Sequence, residues 1–308
     1  MYYLGFDIGG TKCAVSIGKS DKDDMEIIER KEVATQNNPY ITFDKLAAFV
    51  EEWLCKYDVR FAGVSCGGPL DPKRGIILSP PNLSREWYGF EIVSYIKLRF
   101  GINSVLENDA NASAVAEWKF GAGKGVQNMV FMTFGTGLGA GLILNGALYS
   151  GTSGNAGEVG HLRLETDGPV GYNKAGSAEG FCSGGGIAQL AHLRAKERGV
   201  TLDRYLTTKE IFERTRQGDE FCTSIVKESS EKFAMVLSFL IDLFNPEVIV
   251  IGGVFMRNYD LFMPIITPIV EREALCNSNE VCRILPAMTG EQIGDYAALA
   301  LAVMEDKK

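Results

Sequence analysis

The chain has 308 residues, 46% of them hydrophobic and 23% charged, with a formal net charge of -8. That length predicts two lobes rather than one core, and net acidity without a long basic run excludes non-specific binding to nucleic acid or anionic membranes. No stretch reaches the roughly 18 apolar residues of a membrane helix; no basic-then-apolar leader opens the chain; and the cysteines at 13, 55, 66, 182, 222, 276 and 282 lack the two-residue spacing of redox or zinc pairs, so free thiols and a cytoplasmic location are expected.

Residues 2–8 and 13–18 read as two strands joined by the turn Gly9-Gly10-Thr11-Lys12, with a third, less regular strand over 25–35. Apolar spacing through Phe43, Leu46, Phe49, Val50, Trp53 and Leu54 predicts a helix over 41–57. A short strand, Phe61 to Ser65, runs into Gly67-Gly68-Pro69, and a helix over 89–99, a strand over 103–107 and an Ala-rich helix over 110–120 follow. Past Gly121, strands over 128–134 and 139–144 flank a glycine-rich turn, and 145–180 reads as loop. Three helices come next, one starting near Gly186, one opened by the capping-box pattern Thr207-Thr208-Lys209-Glu210 and one filling 219–244. Val248 to Ile251 reads as a buried strand ending at Gly252-Gly253, with helices over 258–275 and 294–304 around a strand at 281–285. Strands followed by helices, twice over, make the class α/β with mixed sheets.

Three glycine turns after strands stand out. In Asp7-Ile8-Gly9-Gly10-Thr11-Lys12 the glycines bring backbone N–H groups near a ligand, Thr11 and Lys12 add a hydroxyl and a charge, and Asp7 can hold a metal-bound water. An ordinary hairpin turn explains the same residues, and the spacing is not that of a Walker loop. Gly135-Thr136-Gly137-Leu138-Gly139 strips side chains from one face of its turn, as a polyphosphate site needs; strands rather than a helix follow it, so it is not a dinucleotide fingerprint. Gly252-Gly253 after a buried strand can admit a base or sugar face.

Acid–base chemistry is suggested by Glu107-Asn108-Asp109 at a strand-to-helix junction: Asp109 can take a proton from a hydroxyl while Asn108 fixes the substrate. Capping of the following helix is the competing reading. Glu158, His161 and Glu179 lie in a glycine-rich polar stretch, and carboxylates and imidazoles of this kind both accept from and donate to sugar hydroxyls. His192, in a helical context, reads as a packing residue. Gly63-Val64-Ser65-Cys66-Gly67 imitates a hydrolase nucleophile elbow, but Gly-Gly-Pro follows where a helix is required.

The motifs DIGGTK at 7–12, ENDANASA at 107–114, FGTGLGAGLILNGALYSGTSGNAGEVGH through 161 and NPEVIVIGG at 245–253 together resemble the ROK family (repressors, uncharacterised frames and sugar kinases) within the actin-like ATPase superfamily. The resemblance implies a two-lobed, ribonuclease H-like α/β fold, with one lobe at 1–119 plus 291–308 and the other at 120–290, closing over ATP, Mg²⁺ and a hexose. It implies that the turns at 9–12 and 135–139, with Gly135, Thr136 and Gly137 foremost in the second, face the phosphates and that Gly252 and Gly253 face adenosine. Asp109 matches the catalytic base; Asn108, Glu158, His161 and Glu179 match sugar ligands, and Gly68 the loop that closes on the sugar. A homodimer is the usual assembly, and phosphorylation of the 6-hydroxyl of glucose or a related sugar is the implied activity. The other possibility is a non-catalytic sugar sensor without a DNA-binding domain, for which a first strand beginning at Tyr2 leaves no room. Many members carry a zinc motif whose cysteine positions here hold Val170, Tyr172 and Ser177, so no structural zinc is expected.

Overall fold

The computed structural model describes residues 1–21, 24–202 and 204–306. In chain order the elements are β1 (Tyr2–Ile8), β2 (Lys12–Asp21), β3 (Asp24–Ala34), α1 (Pro39–Lys56), β4 (Val59–Cys66), β5 (Leu70–Asp71), β6 (Ile76–Ile77), α2 (Ile92–Phe100), β7 (Ser104–Asn108) and α3 (Asp109–Phe120). They continue with β8 (Met129–Phe134), β9 (Leu138–Leu144), β10 (Ala147–Tyr149), β11 (Val170–Gly171), β12 (Lys174–Ala175), α4 (Ala178–Phe181), α5 (Gly184–Arg198), α6 (Thr208–Arg216) and α7 (Glu220–Phe244). Last come β13 (Val248–Gly253), α8 (Val254–Arg257), α9 (Tyr259–Glu273), α10 (Cys276–Val281), β14 (Arg283–Pro286) and α11 (Ile293–Asp306). The chain divides into two compact units, one of Met1–Gly125, Leu148–Asn155 and Met288–Lys308, the other of Val126–Ala147 and Ala156–Ala287. Among the described residues no helix is long and apolar enough to cross a membrane.

In the first unit a mixed sheet runs β3-β2-β1-β4-β7, with β1, β2 and β3 antiparallel and β1, β4 and β7 parallel. Side chains alternate across a strand, so Leu4, Phe6 and Ile8 join a core with Phe43 and Trp53 of α1. Tyr3, on the opposite face, packs with Leu299, Ala302 and Val303 of α11. That helix lies close on the sheet: a Cβ at Gly63 would stand 1.9 Å from the Ala298 carbonyl oxygen, so glycine on the strand and the Ala-rich run of α11 are two sides of one contact. α1 begins where Asn38 accepts a hydrogen bond from Tyr40 N, with Pro39 in its first turn.

The second unit repeats the pattern in β9-β8-β13-β14, where β8 and β9 are antiparallel and β8, β13 and β14 parallel. Its core is aromatic, with Phe134, Phe233, Phe255 and Phe262 in mutual ring contact. α6 carries the expected capping box between Thr207 and Glu210. One reading needs correction. The stretch 145–180 is not loop throughout: it holds β10, a 3₁₀ turn at Val159–His161, the β11–β12 hairpin and the start of α4, elements too short to produce an apolar period. The helix read over 258–275 is present as α9, with the short α8 set ahead of it beyond Asn258.

Candidate active site

Strand register brings the first unit's candidates level. Ile8 pairs with Cys66, and Cys66 with Asn108, so Asp7, Gly67 and Asp109 all stand at the carboxyl ends of adjacent parallel strands. In open α/β sheets this is the edge where ligands bind. The turn at 9–12 is closed by Gly9 N donating to the Lys12 carbonyl at 3.1 Å and anchored by Thr35 Oγ1 donating to the Gly9 carbonyl at 2.6 Å. A Cβ at Gly10 would lie 2.3 Å from the Asn82 carbonyl oxygen, so that glycine is required by packing as well as by any ligand. Thr11 is tied through its carbonyl to Thr35 N at 3.0 Å.

Asp7 is the electrostatically perturbed group. Burial, then the negative charges of Asp295 and Asp109, push its carboxyl from 3.8 up to about 6. Asp295, in the first turn of α11, is 6% exposed and accepts from Ser16 Oγ at 2.5 Å and Arg30 Nε at 2.8 Å. Ser16 and Arg30 are cross-strand partners on β2 and β3, which explains why both reach one carboxylate. Arg30 also donates to Glu32 at 2.7 Å, and Glu32 pairs with Lys12 at 3.0 Å. Lys12 is thus linked through Glu32 and Arg30 to Asp295.

At the β7–α3 junction the cap is Asn108, whose Oδ1 accepts from Asn111 N at 2.7 Å, and Asp109 is the first residue of the helix. Asp109 Oδ1 accepts from Ala110 N at 2.8 Å, while Oδ2 lies 3.9 Å from the position of a Gly67 Cβ. The Asn82 amide stands 3.6 Å from that same position. Behind them the buried Glu107 Oε1 accepts from Asn108 N at 2.9 Å and Asn111 Nδ2 at 3.1 Å. Gly68 precedes Pro69 in a cis peptide, and a ribbon of β5 and β6 follows, not the helix a nucleophile elbow needs. Burial pushes the Cys66 thiol well above its ordinary range, the reverse of an activated nucleophile.

In the second unit Gly135 and Gly253 are likewise level, because Phe134 pairs with Gly253 across β8 and β13. Gly135 N donates to the Gly137 carbonyl at 3.0 Å, a tight turn through Thr136. A Cβ on Gly135 would meet nothing within 4 Å, whereas one on Gly137 would meet Glu179 Oε2 at 2.6 Å. Gly252 packs over Phe131, and Gly253 has φ of 72° with its Cβ position 2.3 Å from the Phe134 carbonyl oxygen. Both carboxylate oxygens of Glu179 accept backbone N–H groups, from Leu138 and Tyr172, each at 3.1 Å. Every carboxylate oxygen has a second lone pair, so Glu179 can also take a hydroxyl. Glu158 accepts from Tyr172 Oη at 2.6 Å, and His161 faces Lys174 at 2.9 Å. The positions where zinc ligands would be sought do not fit that metal. Val170 offers no donor side chain, and Ser177 Oγ caps α4 through Gly180 N at 3.1 Å while donating to the Gly171 carbonyl at 3.0 Å. Tyr172 is engaged with Glu158.

Asp295, Arg30, Asn82 and Lys174 escape the sequence reading, and Tyr172 enters it only as a replaced zinc position. The one local hint is a carboxylate, Asp295, set at the head of a helix that is apolar from Ala297 to Met304.

Residues 3–305 match the ROK family. The chain is 30% identical over 311 residues to a glucokinase of Streptomyces coelicolor, covering 97% of this chain and 96% of that protein. A ROK hexokinase structure from Thermus thermophilus superimposes with a TM-score of 0.84 at 26% identity, covering 100% of this chain and 99% of the other. A ROK family glucokinase from Streptomyces griseus, in complex with glucose and AMPPNP, gives 0.77 at 30% identity, covering 99% and 100%.

Proposed function

This chain belongs to the ROK family, and from that membership we propose that it is an ATP-dependent kinase of a hexose, with Asp109 as general base. The observation that carries the reading is the division of labour at the β7–α3 junction. Asn108 supplies the helix cap, so capping does not account for a carboxylate at 109. The Asn108 cap uses Oδ1, and Nδ2 is the donor it offers a sugar.

In the reaction the sugar's 6-hydroxyl oxygen attacks the γ-phosphorus in line. The bond from that phosphorus to the β,γ-bridging oxygen breaks, ADP departs, and the hydroxyl proton passes to Asp109. Backbone N–H groups of the turns at 9–12 and 135–137 carry charge that develops on the phosphates, with Lys12 beside them. Gly252 and Gly253 are assigned to adenosine, and Glu158, His161 and Glu179 to sugar hydroxyls, with Gly68 in the closing loop. Among the described residues no three His, Cys, Asp or Glu side chains converge to cage a metal. Mg²⁺ would then enter as the nucleotide's own ion, and Asp7 is the residue that would hold it through water. The crowding that lifts the Asp7 carboxyl to about 6 is relieved by such a cation, which supports this assignment. When bound, the ion neutralises phosphate charge.

Glucose is the first sugar to test, since the glucokinase likeness spans the whole chain. A screen of hexoses by coupled ADP release decides the substrate. Asp109→Asn should lower turnover about 10²–10⁴-fold; near-wild-type turnover in that variant would remove Asp109 as base. Sugar binding with no ATP turnover on adding sugar would instead favour a sugar sensor without catalysis. A homodimer in the cytoplasm completes the proposal, and light scattering on the eluting peak tests the assembly.

A further inference from the structure

His161 and Glu158 sit three residues apart at a 3₁₀ turn, where His161 N donates to the Glu158 carbonyl at 3.1 Å. That spacing turns both side chains to one side. The β11–β12 hairpin, tightened by left-handed Tyr172 and Asn173 at φ of 53° and 56°, presents a partner to each. Lys174 Nζ lies 2.9 Å from His161 Nδ1 and donates to the His161 carbonyl oxygen at 2.7 Å. An ammonium has three protons to give and no lone pair. Nδ1 must then be the acceptor, and a neutral ring that accepts at Nδ1 carries its proton on Nε2. Tyr172 Oη donates to Glu158 Oε2 at 2.6 Å, and its ring meets the imidazole edge-on at 5.6 Å. The hairpin is itself fixed, because Tyr172 N donates to Glu179 Oε1 at 3.1 Å and Gly171 N to Ser177 Oγ at 3.1 Å.

We propose that Lys174 and Tyr172 are positioning residues that set opposite polarities on the sugar-recognition pair, Lys174 holding His161 as an Nε2–H donor and Tyr172 holding Glu158 as an acceptor. The ligand chemistry this selects is two neighbouring hydroxyls, one accepting from the imidazole and the other donating to the carboxylate. Its link to sugar recognition rests on the kinase reading above, whereas the ring's proton position is a property of the protein alone.

The chain's two histidines make the test self-referenced. His192 Nε2 accepts from Leu206 N at 3.1 Å, which makes His192 the opposite, Nδ1–H tautomer. In ¹⁵N-labelled full-length protein at neutral pH, two-bond ¹H–¹⁵N spectra should show one ring of each kind, assigned by His161→Asn. Lys174→Met should scramble the His161 pattern and leave that of His192 in place, which also reports the fold, and Lys174→Arg should restore the Nε2–H form. With D-glucose as probe, Lys174→Met should raise KM about tenfold, the effect of one lost hydrogen bond, with kcat within about twofold. An Nδ1–H or doubly protonated His161 in the wild type overturns the proposal, and the wild-type spectrum decides this even if a variant fails to fold. So does a Lys174→Met variant with an unmoved tautomer. Absence of sugar-stimulated ATP turnover in the wild type would defeat the kinase reading instead, leaving the tautomer result intact.

Discussion

Replacing Asp7 with Asn should make the protein more stable at neutral pH while weakening its handling of metal-bound nucleotide. The native carboxyl is raised from 3.8 to about 6 by burial and by Asp295 and Asp109, so the folded state holds this proton more tightly than the unfolded chain. Linkage then fixes the sign: the stability from that bound proton is complete below about pH 4 and is lost as pH rises through about 6. A gap of about two pH units at 1.36 kcal/mol each is a penalty on the order of 3 kcal/mol at pH 7.5, and the amide removes the charge that causes it. Asn should therefore raise the melting temperature by several degrees at pH 7.5, at roughly 2 °C per kcal/mol for a chain this long, and by almost nothing at pH 4. The same variant should show a raised KM for ATP-Mg in the coupled assay. Melting curves at the two pH values, without nucleotide, are the deciding measurement. A variant less stable than wild type at pH 7.5, or equally stabilised at both, would refute the carboxylate-crowding account.

Three further substitutions test packing against ligand roles. Glu117, fully buried in α3, accepts from Ala122 N at 2.8 Å, Met288 N at 3.0 Å, Thr289 N at 2.8 Å and Thr289 Oγ1 at 2.6 Å. Glu117→Gln turns an NH₂ toward those donors and should cost about 1–3 kcal/mol per group left unpaired, read as a lower urea midpoint; an unchanged midpoint contradicts the network. Gly135→Ala should melt like wild type, since its Cβ has open space, yet raise KM for ATP severalfold. Gly253→Ala should lower stability by about 2 kcal/mol or more, because its φ of 72° and the Phe134 carbonyl at 2.3 Å both oppose a side chain.

What could be read in advance was local. The turns at 9–12 and 135–137 and the junction at 107–110 are each a few consecutive residues between regular elements, so pattern alone located them. Glu117 could not be read, because a charge two residues from Lys119 in an Ala-rich helix looks solvated until the return of the chain at 288–289 is seen to cover it. The contact of Asp295 with Arg30 depends on the register that pairs Ser16 with Arg30, and a slip of one residue in β3 would send Arg30 to the other face. Glu179 was legible as a polar candidate, but not its hold on Leu138 N and Tyr172 N. That dual engagement makes it both a brace for the glycine turn and a proposed sugar ligand.

The two sheets give a reason for where the chemistry sits. In each unit one strand enters a tight glycine turn and returns antiparallel, β1 to β2 and β8 to β9, while a parallel neighbour, β4 or β13, ends level with that turn. Such an edge gathers bare backbone N–H groups without long side chains in front of them, which suits an anion. The units differ in what they add. The first places Asp7 and Asp109 near each other at this edge, a crowding unfavourable without a cation, while the second adds Glu158, His161 and Glu179 on short braced elements. Carboxylates kept at a crowded spot beside a glycine turn are hard to explain by folding, since replacing Asp7 is expected to improve it. They are readily explained by a reaction that brings its own metal and needs a proton acceptor there.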